Sequence, residues 1–182
     1  MNDLLARVRG LHALWDRGVA DLTAEQVNHV ERAGVLPIAF TLVHFVRGQD
    51  AHALDLIDAD RLLWEEHAPA LGYEGIIPVR GSPLAEAERV RVRNVEAWRA
   101  YQRAVFARTE RALETMTPER YELPMFGGER PASLKGGFLE AYVPEGTIRR
   151  RHAIEAWIYQ HGCRHLGELE HARALVGLGG LS

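Results

Sequence analysis

Four segments of the sequence have apolar residues at three- and four-residue steps, the spacing that places them on one face of an α-helix. These segments cover approximately residues 4–22, 37–57, 83–116 and 148–176. No segment alternates apolar and polar residues well enough to predict a strand. The pattern therefore predicts an all-α fold, a four-helix bundle in which each helix contributes one apolar stripe to a common core. We expect a single domain over residues 1–182.

Glycine and proline residues divide these helices and concentrate in two long irregular connections, 58–83 and 121–147. Ser82 as an N-cap and Pro83 at the first helical position predict that the third helix begins there. One helical turn is expected within the first connection, at 61–67. Connections of this length usually carry function or cover a site. The second one is expected to form the wall of a pocket or to extend a dimer contact.

The composition excludes several classes of function. With 22 Lys and Arg against 25 Asp and Glu, the formal net charge is −3, which gives no electrostatic basis for binding nucleic acid or an anionic membrane. The single cysteine, Cys163, fits a reducing compartment. The longest nearly apolar run, 35–46, is too short to span a bilayer, which takes about 20 residues. We therefore expect a cytoplasmic protein that binds neither nucleic acid nor membranes.

Two histidines near the C-terminus, His161 and His165, lie four residues apart in a helical segment. At roughly 100° per residue they are about 40° apart on one helix face, so both imidazoles can reach a common metal ion. Cys163, His152 and His171 lie on other faces of the same helix, which argues against a Cys/His zinc site. Two surface histidines would show the same spacing, so a metal site needs a third ligand from another helix.

The best candidate for the third ligand is His44, which lies between Val43 and Phe45 on a strongly apolar helix. An unpaired imidazole is energetically costly in such a setting. A core histidine bonded to a backbone carbonyl would also fit this position. His52, eight residues further on, is the alternative ligand. The remaining upstream histidines, His12, His29 and His67, lack an apolar setting of this kind.

Three histidines on two helices would leave coordination positions open for water or substrate, as catalytic metal sites do. Ligation by imidazole alone suits zinc, nickel, copper or iron. Glu168, three residues after His165, can bond the outer nitrogens of the ligands or act as a base. Arg47, one turn from His44, can anchor an anionic group. A glutamate or arginine on a helix is also commonly just solvated.

A di-iron bundle is the rival metal site. That architecture needs two Glu-x-x-His motifs and two further glutamates. Glu168 and His171 form one such motif, and the sequence offers no convincing second one. We therefore do not expect a di-iron site.

Two segments, 41–50 and 159–169, resemble the DinB-like superfamily of damage-inducible-type four-helix bundles. The family's C-terminal pattern reads His-x-x-x-His, then a glycine and a basic residue. The positions that match the family are His44, Gln49, Asp50, His161, His165, Gly167 and Arg173. The resemblance implies a divalent ion, often nickel or zinc, held by the three histidines, and frequent dimerisation. It implies no single reaction, because some members use low-molecular-weight thiols and many have no known activity.

The leading hypothesis is a divalent-metal-dependent enzyme, either a thiol-dependent S-transferase or a hydrolase, acting on a small electrophilic substrate. Its metal ligands would be His44, His161 and His165, with Glu168 and Arg47 as candidate catalytic residues. A transferase would use an external thiol, because Cys163 lies off the histidine face. A homodimer is expected. The alternative is a non-catalytic, dimeric binding or stress-response module whose metal site is structural or vacant.

Overall fold

Four long helices form the body of the protein, as the periodicity predicts. In the computed structural model, which describes residues 2–181, the first long helix is Asn2–Val19 and the third is Val95–Thr115. The second consists of the consecutive segments Ile38–Leu42, Val43–Arg47 and Gly48–Leu56. The fourth consists of Arg150–Ile154, Glu155–Gln160 and His161–Leu175. The predicted all-α bundle is confirmed.

The connections contain more regular structure than their glycine and proline content predicts. Short helices within or beside them lie at Trp64–Leu71, Leu84–Ala87, Pro118–Tyr121 and Phe138–Tyr142, with 3-10 turns at Phe126–Gly128 and Ala132–Leu134. A further short helix, Ala24–Asn28, lies between the first and second long helices. Strands Tyr73–Glu74 and Arg91–Val92 pair antiparallel, with Tyr73 opposite Val92. The single helical turn expected at 61–67 is instead the helix Trp64–Leu71.

The prediction that the third long helix begins at Ser82 and Pro83 is wrong. The Ser82 hydroxyl bonds the backbone N–H and C=O of Val79, at 2.9 Å each, and so does not cap a helix. The helix that starts at Leu84 ends at Ala87. Asn94 is the N-cap of the long helix, since its side chain accepts a hydrogen bond from the Ala97 N–H at 3.0 Å.

The short strand before Asn94 explains the later start of that helix. Val90 and Val92 are fully buried at alternate positions, as in an extended chain, not at helical spacing. The Asn28 amide also bonds Val92 on both sides, accepting from its N–H at 2.9 Å and donating to its C=O at 2.8 Å. The expectation that the chain holds no strand is therefore wrong here, because tertiary contacts outweigh local helix signals.

Two of the long helices contain π-helical segments. Val43–Arg47 interrupts the second long helix and Glu155–Gln160 interrupts the fourth. A π turn inserts extra backbone between successive turns, which rotates the following residues around the helix, and such segments are frequent at functional sites. His44 lies within the first π segment and His161 comes directly after the second. The histidine positions therefore depend on both interruptions.

The fourth long helix packs closely against the first and second helices at Gly162. A Cβ atom at this position would lie 2.5 Å from Leu11 Cδ2 and 2.7 Å from Phe45 Cζ, so any side chain here would force those neighbours to move. The Trp15 indole N–H donates to the Gly162 carbonyl at 3.2 Å. The residue after His161 is therefore fixed against the core by steric fit and by a buried hydrogen bond.

The core is built from the apolar stripes of the long helices. Its largest fully buried side chains include Trp15, Phe45, Trp98 and Tyr101. A second group of buried residues, around Leu56, extends the core toward the second connection. In the part of the chain that the structure describes, no helix combines the length and the apolar character needed to cross a bilayer.

Candidate metal centre

Three histidines from the second and fourth long helices meet at one point, and we call them the histidine cluster (His44, His161 and His165). The Nε2 atom of His161 lies 3.3 Å from Nε2 of His44 and 2.9 Å from Nε2 of His165. One ring nitrogen from each residue lies within 4.8 Å of the others. The predicted approach of the two helices therefore occurs, and it is His44, not the alternative His52, that joins the pair.

The outer nitrogens of two of these rings have acceptors. His44 Nδ1 lies 3.5 Å from the Pro78 carbonyl, and His165 Nδ1 lies 2.6 Å from Glu168 Oε2. An Nδ1–H that donates to an oxygen leaves Nε2 unprotonated, with its lone pair directed into the cluster. His161 can donate an Nε2–H to only one of those lone pairs at a time. A shared cation would therefore satisfy the three Nε2 atoms better than hydrogen bonds among the rings do.

Spacing and charge state both fit a divalent ion. Imidazole nitrogens about 2.0–2.1 Å from a tetrahedral zinc ion lie roughly 3.3 Å from each other, close to the separations seen here. Burial lowers the pKa of His161 to about 3, and the neighbouring His165 and His44 add to that effect. Burial also lowers the pKa of His44. These two rings are therefore neutral near pH 7, which is the form that binds metals.

The cluster faces an open cavity of about 860 Å³, which we call the first cavity. His44 and His165 line its wall together with Phe40, Glu168 and Leu175. Additional walls come from the loops 34–36 and 79–82. A small molecule in this cavity can therefore contact two of the three rings of the cluster.

A second cavity of about 390 Å³ lies on the other side of the cluster, where it is lined by His161. Its outer wall is formed by the second connection, through residues 133–139, and its inner wall includes His52 and Trp157. Of the two roles expected for that connection, the structure shows the pocket wall.

The two candidate catalytic residues occupy different positions. Glu168 lines the first cavity and accepts a hydrogen bond from His165, which keeps the pKa of its carboxyl below the usual range. Arg47 lines neither cavity, and its buried Nε has no hydrogen-bond partner among the described residues. The geometry thus connects Glu168 with the cluster and gives Arg47 no contact there.

The other histidines and the cysteine lie outside the cluster. His52 stacks on Trp157 with ring centroids 4.6 Å apart, and burial lowers its pKa to about 4. Cys163 is exposed, and partial desolvation raises the pKa of its thiol. His12, which the sequence gave no apolar setting, is buried and only 2% exposed. Its ring stacks on Phe106 at 3.9 Å between centroids.

Three of the residues behind the family resemblance have structural contacts away from the cluster. Gln49 donates to Thr109 at 2.9 Å. The Asp50 carboxylate accepts backbone N–H bonds from Leu63 and Trp64 at 3.1 and 2.8 Å. Arg173 is 4% exposed and forms a two-pronged ion pair with Asp21, at 2.5 and 3.0 Å. The last contact attaches the fourth long helix to the end of the first.

Two residues that the sequence pattern does not single out, Arg80 and Arg164, line both cavities. Arg164 directly precedes His165, and that adjacency was the available signal for it. Arg80 lies in the first connection, where nothing in the sequence indicates that the loop returns to the cluster. The backbone of the second connection passes beside it, since a Cβ added to Gly137 would lie 3.6 Å from Arg80 Nη1.

Comparison with known proteins identifies a shared fold. No protein-family model matches the chain, and no curated protein matches it. A solved structure, described as the conserved protein of a locus from Enterococcus faecalis, matches with a TM-score of 0.73. The match covers 96% of this chain and 95% of that one at 17% sequence identity. At that identity the likeness shows a common helical architecture and no activity.

Proposed function

We propose that this protein is a divalent-metal-dependent enzyme that acts on a small electrophilic substrate, as a thiol-dependent S-transferase or as a hydrolase. One observation carries the proposal: the three Nε2 atoms of the histidine cluster converge at the edge of an open cavity. Three protein ligands leave at least one coordination position for an exogenous molecule, which is the arrangement of catalytic metal sites. The ion bound there would lower the pKa of a bound water or thiol.

The residues of the chain would hold and orient the site. Pro78 and Glu168 accept the Nδ1–H groups of His44 and His165, which fixes the ring tautomers with Nε2 free to bind. In this proposal Glu168 is mainly a positioning residue, because its hydrogen bond is to a ligand ring. Its action as a base and the anchoring role of Arg47 stay predictions.

An external thiol is the nucleophile in the transferase form of this proposal. Cys163 lies outside the cluster and its raised pKa keeps the thiol protonated near pH 7. Nickel and zinc are the ions that the resemblance to the DinB-like superfamily favours, and a donor set of imidazoles suits both. The shared helical architecture is compatible with that resemblance. Homodimerisation stays a prediction, which analytical ultracentrifugation can check.

The test is an activity screen on protein purified without a histidine tag and loaded with nickel or zinc. Thiols paired with electrophilic acceptors assay the transferase, and activated esters and amides assay the hydrolase. We expect turnover that disappears on removal of the metal and in His161→Ala but persists in His52→Ala, the matched histidine outside the cluster. Activity that survives His161→Ala would place the chemistry elsewhere. Metal uptake without turnover in any assay would favour the non-catalytic module.

A further inference from the structure

The charged residues around the histidine cluster are unevenly distributed. Arg80 and Arg164 are the arginines that line the two cavities, and each of them lines both. Among residues 2–181 neither side chain forms a salt bridge or a hydrogen bond, and both are exposed to solvent. Arginines that help to hold this fold, such as Arg173 with Asp21, have carboxylate partners instead. The two guanidinium groups are thus available to a ligand.

Negative charge in the same cavities is scarce. Glu168 is the one acidic residue that lines either cavity in the described part of the chain, and it is already engaged by His165 at 2.6 Å. Two cations therefore face one carboxylate before any ion binds, and a divalent ion on the histidines would add to the positive potential. Cavities lined by charge of one sign concentrate ligands of the opposite sign.

The two arginines reach the cavities from different segments of the chain. Arg164 precedes the ligand His165 on the fourth long helix, whereas Arg80 comes from the loop that also supplies Pro78, the acceptor for His44. One guanidinium group therefore comes from the helix that carries His165 and the other from the loop that bonds His44, and both of these segments position the cluster. A planar guanidinium offers paired N–H groups that match the oxygens of a carboxylate or phosphate.

We propose that Arg80 and Arg164 form an anion-binding site beside the histidine cluster, so that the small molecule bound there carries a carboxylate or phosphate group. This inference rests on the proposed function, because it names the chemical class of the molecule that would bind next to the ion. It assigns the two arginines to binding and orientation of the ligand, with no part in the chemical step.

The first test uses cobalt-loaded protein and three thiols, whose binding is read from thiolate-to-cobalt charge-transfer absorption. Mercaptoacetate and 3-mercaptopropionate carry a carboxylate, and 2-mercaptoethanol does not. In the double variant Arg80→Gln/Arg164→Gln, the affinity for at least one acidic thiol should fall about tenfold or more, since a charge-assisted bond is lost. The affinity for 2-mercaptoethanol should stay within about twofold of the wild-type value.

Arg111→Gln is the matched control, because Arg111 is exposed on the third long helix and lines neither cavity. This variant removes one positive charge and should leave the affinities for acidic and neutral thiols unchanged. Equal losses for acidic and neutral thiols in the double variant would show that the arginines support the ion or the fold. Unchanged affinities would show that they bind no anion. Either result overturns the proposal.

A second measurement separates this proposal from the proposed function. If the protein takes up no cobalt, the metal-dependent function fails, and if no thiol reaches a bound ion, its transferase form fails. In either case the anion site is judged in metal-free protein. Isothermal titration with inorganic phosphate should then show binding that Arg80→Gln/Arg164→Gln weakens and Arg111→Gln does not. Absence of phosphate binding, or binding that the double variant leaves intact, would refute the anion site.

Discussion

His12 and the histidine cluster are both enclosed by the bundle, but their ring nitrogens face different kinds of atom. His12 Nδ1 lies 2.7 Å from Glu110 Oε1, and its Nε2 accepts from the Gln49 amide at 3.1 Å. Each nitrogen of this ring has a complementary partner. In the cluster, by contrast, the Nε2 atoms face one another at 2.9 and 3.3 Å.

The difference shows that burial by itself does not mark a functional histidine. His12 is more deeply buried than the cluster, yet all of its hydrogen-bonding capacity is used by the protein. The cluster has more inward lone pairs than N–H donors to match them, and it lies against a cavity. A binding site thus differs from a core interaction less in its depth of burial than in having polar atoms that lack a hydrogen-bond partner and lie where a ligand can reach them.

Substitution of His12 should have the largest effect on metal-free stability. His12→Ala leaves Glu110 and Gln49 without their partner and opens a void beside Phe106, so we expect a loss of about 2–4 kcal/mol. His161→Ala should stay within about 1 kcal/mol of the wild-type value, because without an ion its Nε2–H can bond only one of the two lone pairs that face it. Urea denaturation after treatment with a chelator measures the free energy of unfolding of both metal-free variants. A larger loss of stability in His161→Ala than in His12→Ala would contradict this prediction.

A pair of glycine substitutions tests how rigidly the fourth long helix positions His161. Gly162→Ala introduces a Cβ 2.5 Å from Leu11 Cδ2, so it should destabilise the protein by about 1–3 kcal/mol and weaken metal binding. Gly167→Ala is the matched control in the same helix, where nothing lies within 4 Å. It should be neutral or stabilising by up to about 1 kcal/mol. Thermal unfolding and metal titration of both variants check this. Equal behaviour of the two variants would show that the close approach is unimportant.

Removal of the Glu168 carboxylate should have a smaller effect, confined to the cluster. Glu168→Ala takes away the acceptor that orients His165, and loss of such a partner typically weakens metal binding about 10-fold to 100-fold. Glu170→Ala, whose carboxylate instead accepts from the Leu181 N–H at 3.1 Å, should leave metal affinity unchanged. Competition with a chromogenic chelator gives both affinities. If the two variants bind metal equally well, Glu168 does not position the ligand.

The sequence predicts the bundle and the local histidine pair for the same reason: both depend on helical periodicity. His161 and His165 follow the second π segment, so the angle between them is that of a regular helix. Regular periodicity does not give the angle between His152 and His161, because the π segment Glu155–Gln160 lies between them and changes the rotation. Interruptions of this kind arise from tertiary packing and leave no clear local signal.

The remaining parts of the site depend on contacts between distant segments. The start of the third long helix at Val95 requires the pairing of Val92 with Tyr73 and with the Asn28 amide, which no local pattern predicts. The same loop brings Arg80 and Pro78 to the cluster. His44 could be proposed from its apolar setting, whereas these two residues became visible only once the chain was folded.

Metal content and metal-dependent stability decide whether the histidine cluster binds an ion. Untagged protein should bind about one nickel or zinc ion per chain, and at a hundredfold excess over the dissociation constant the ion should stabilise the fold by about 2.7 kcal/mol. His44→Ala should abolish both effects, and His52→Ala, whose ring stacks on Trp157 outside the cluster, should retain them. A protein that takes up no metal, or a His44→Ala variant that the ion still stabilises fully, would contradict the account.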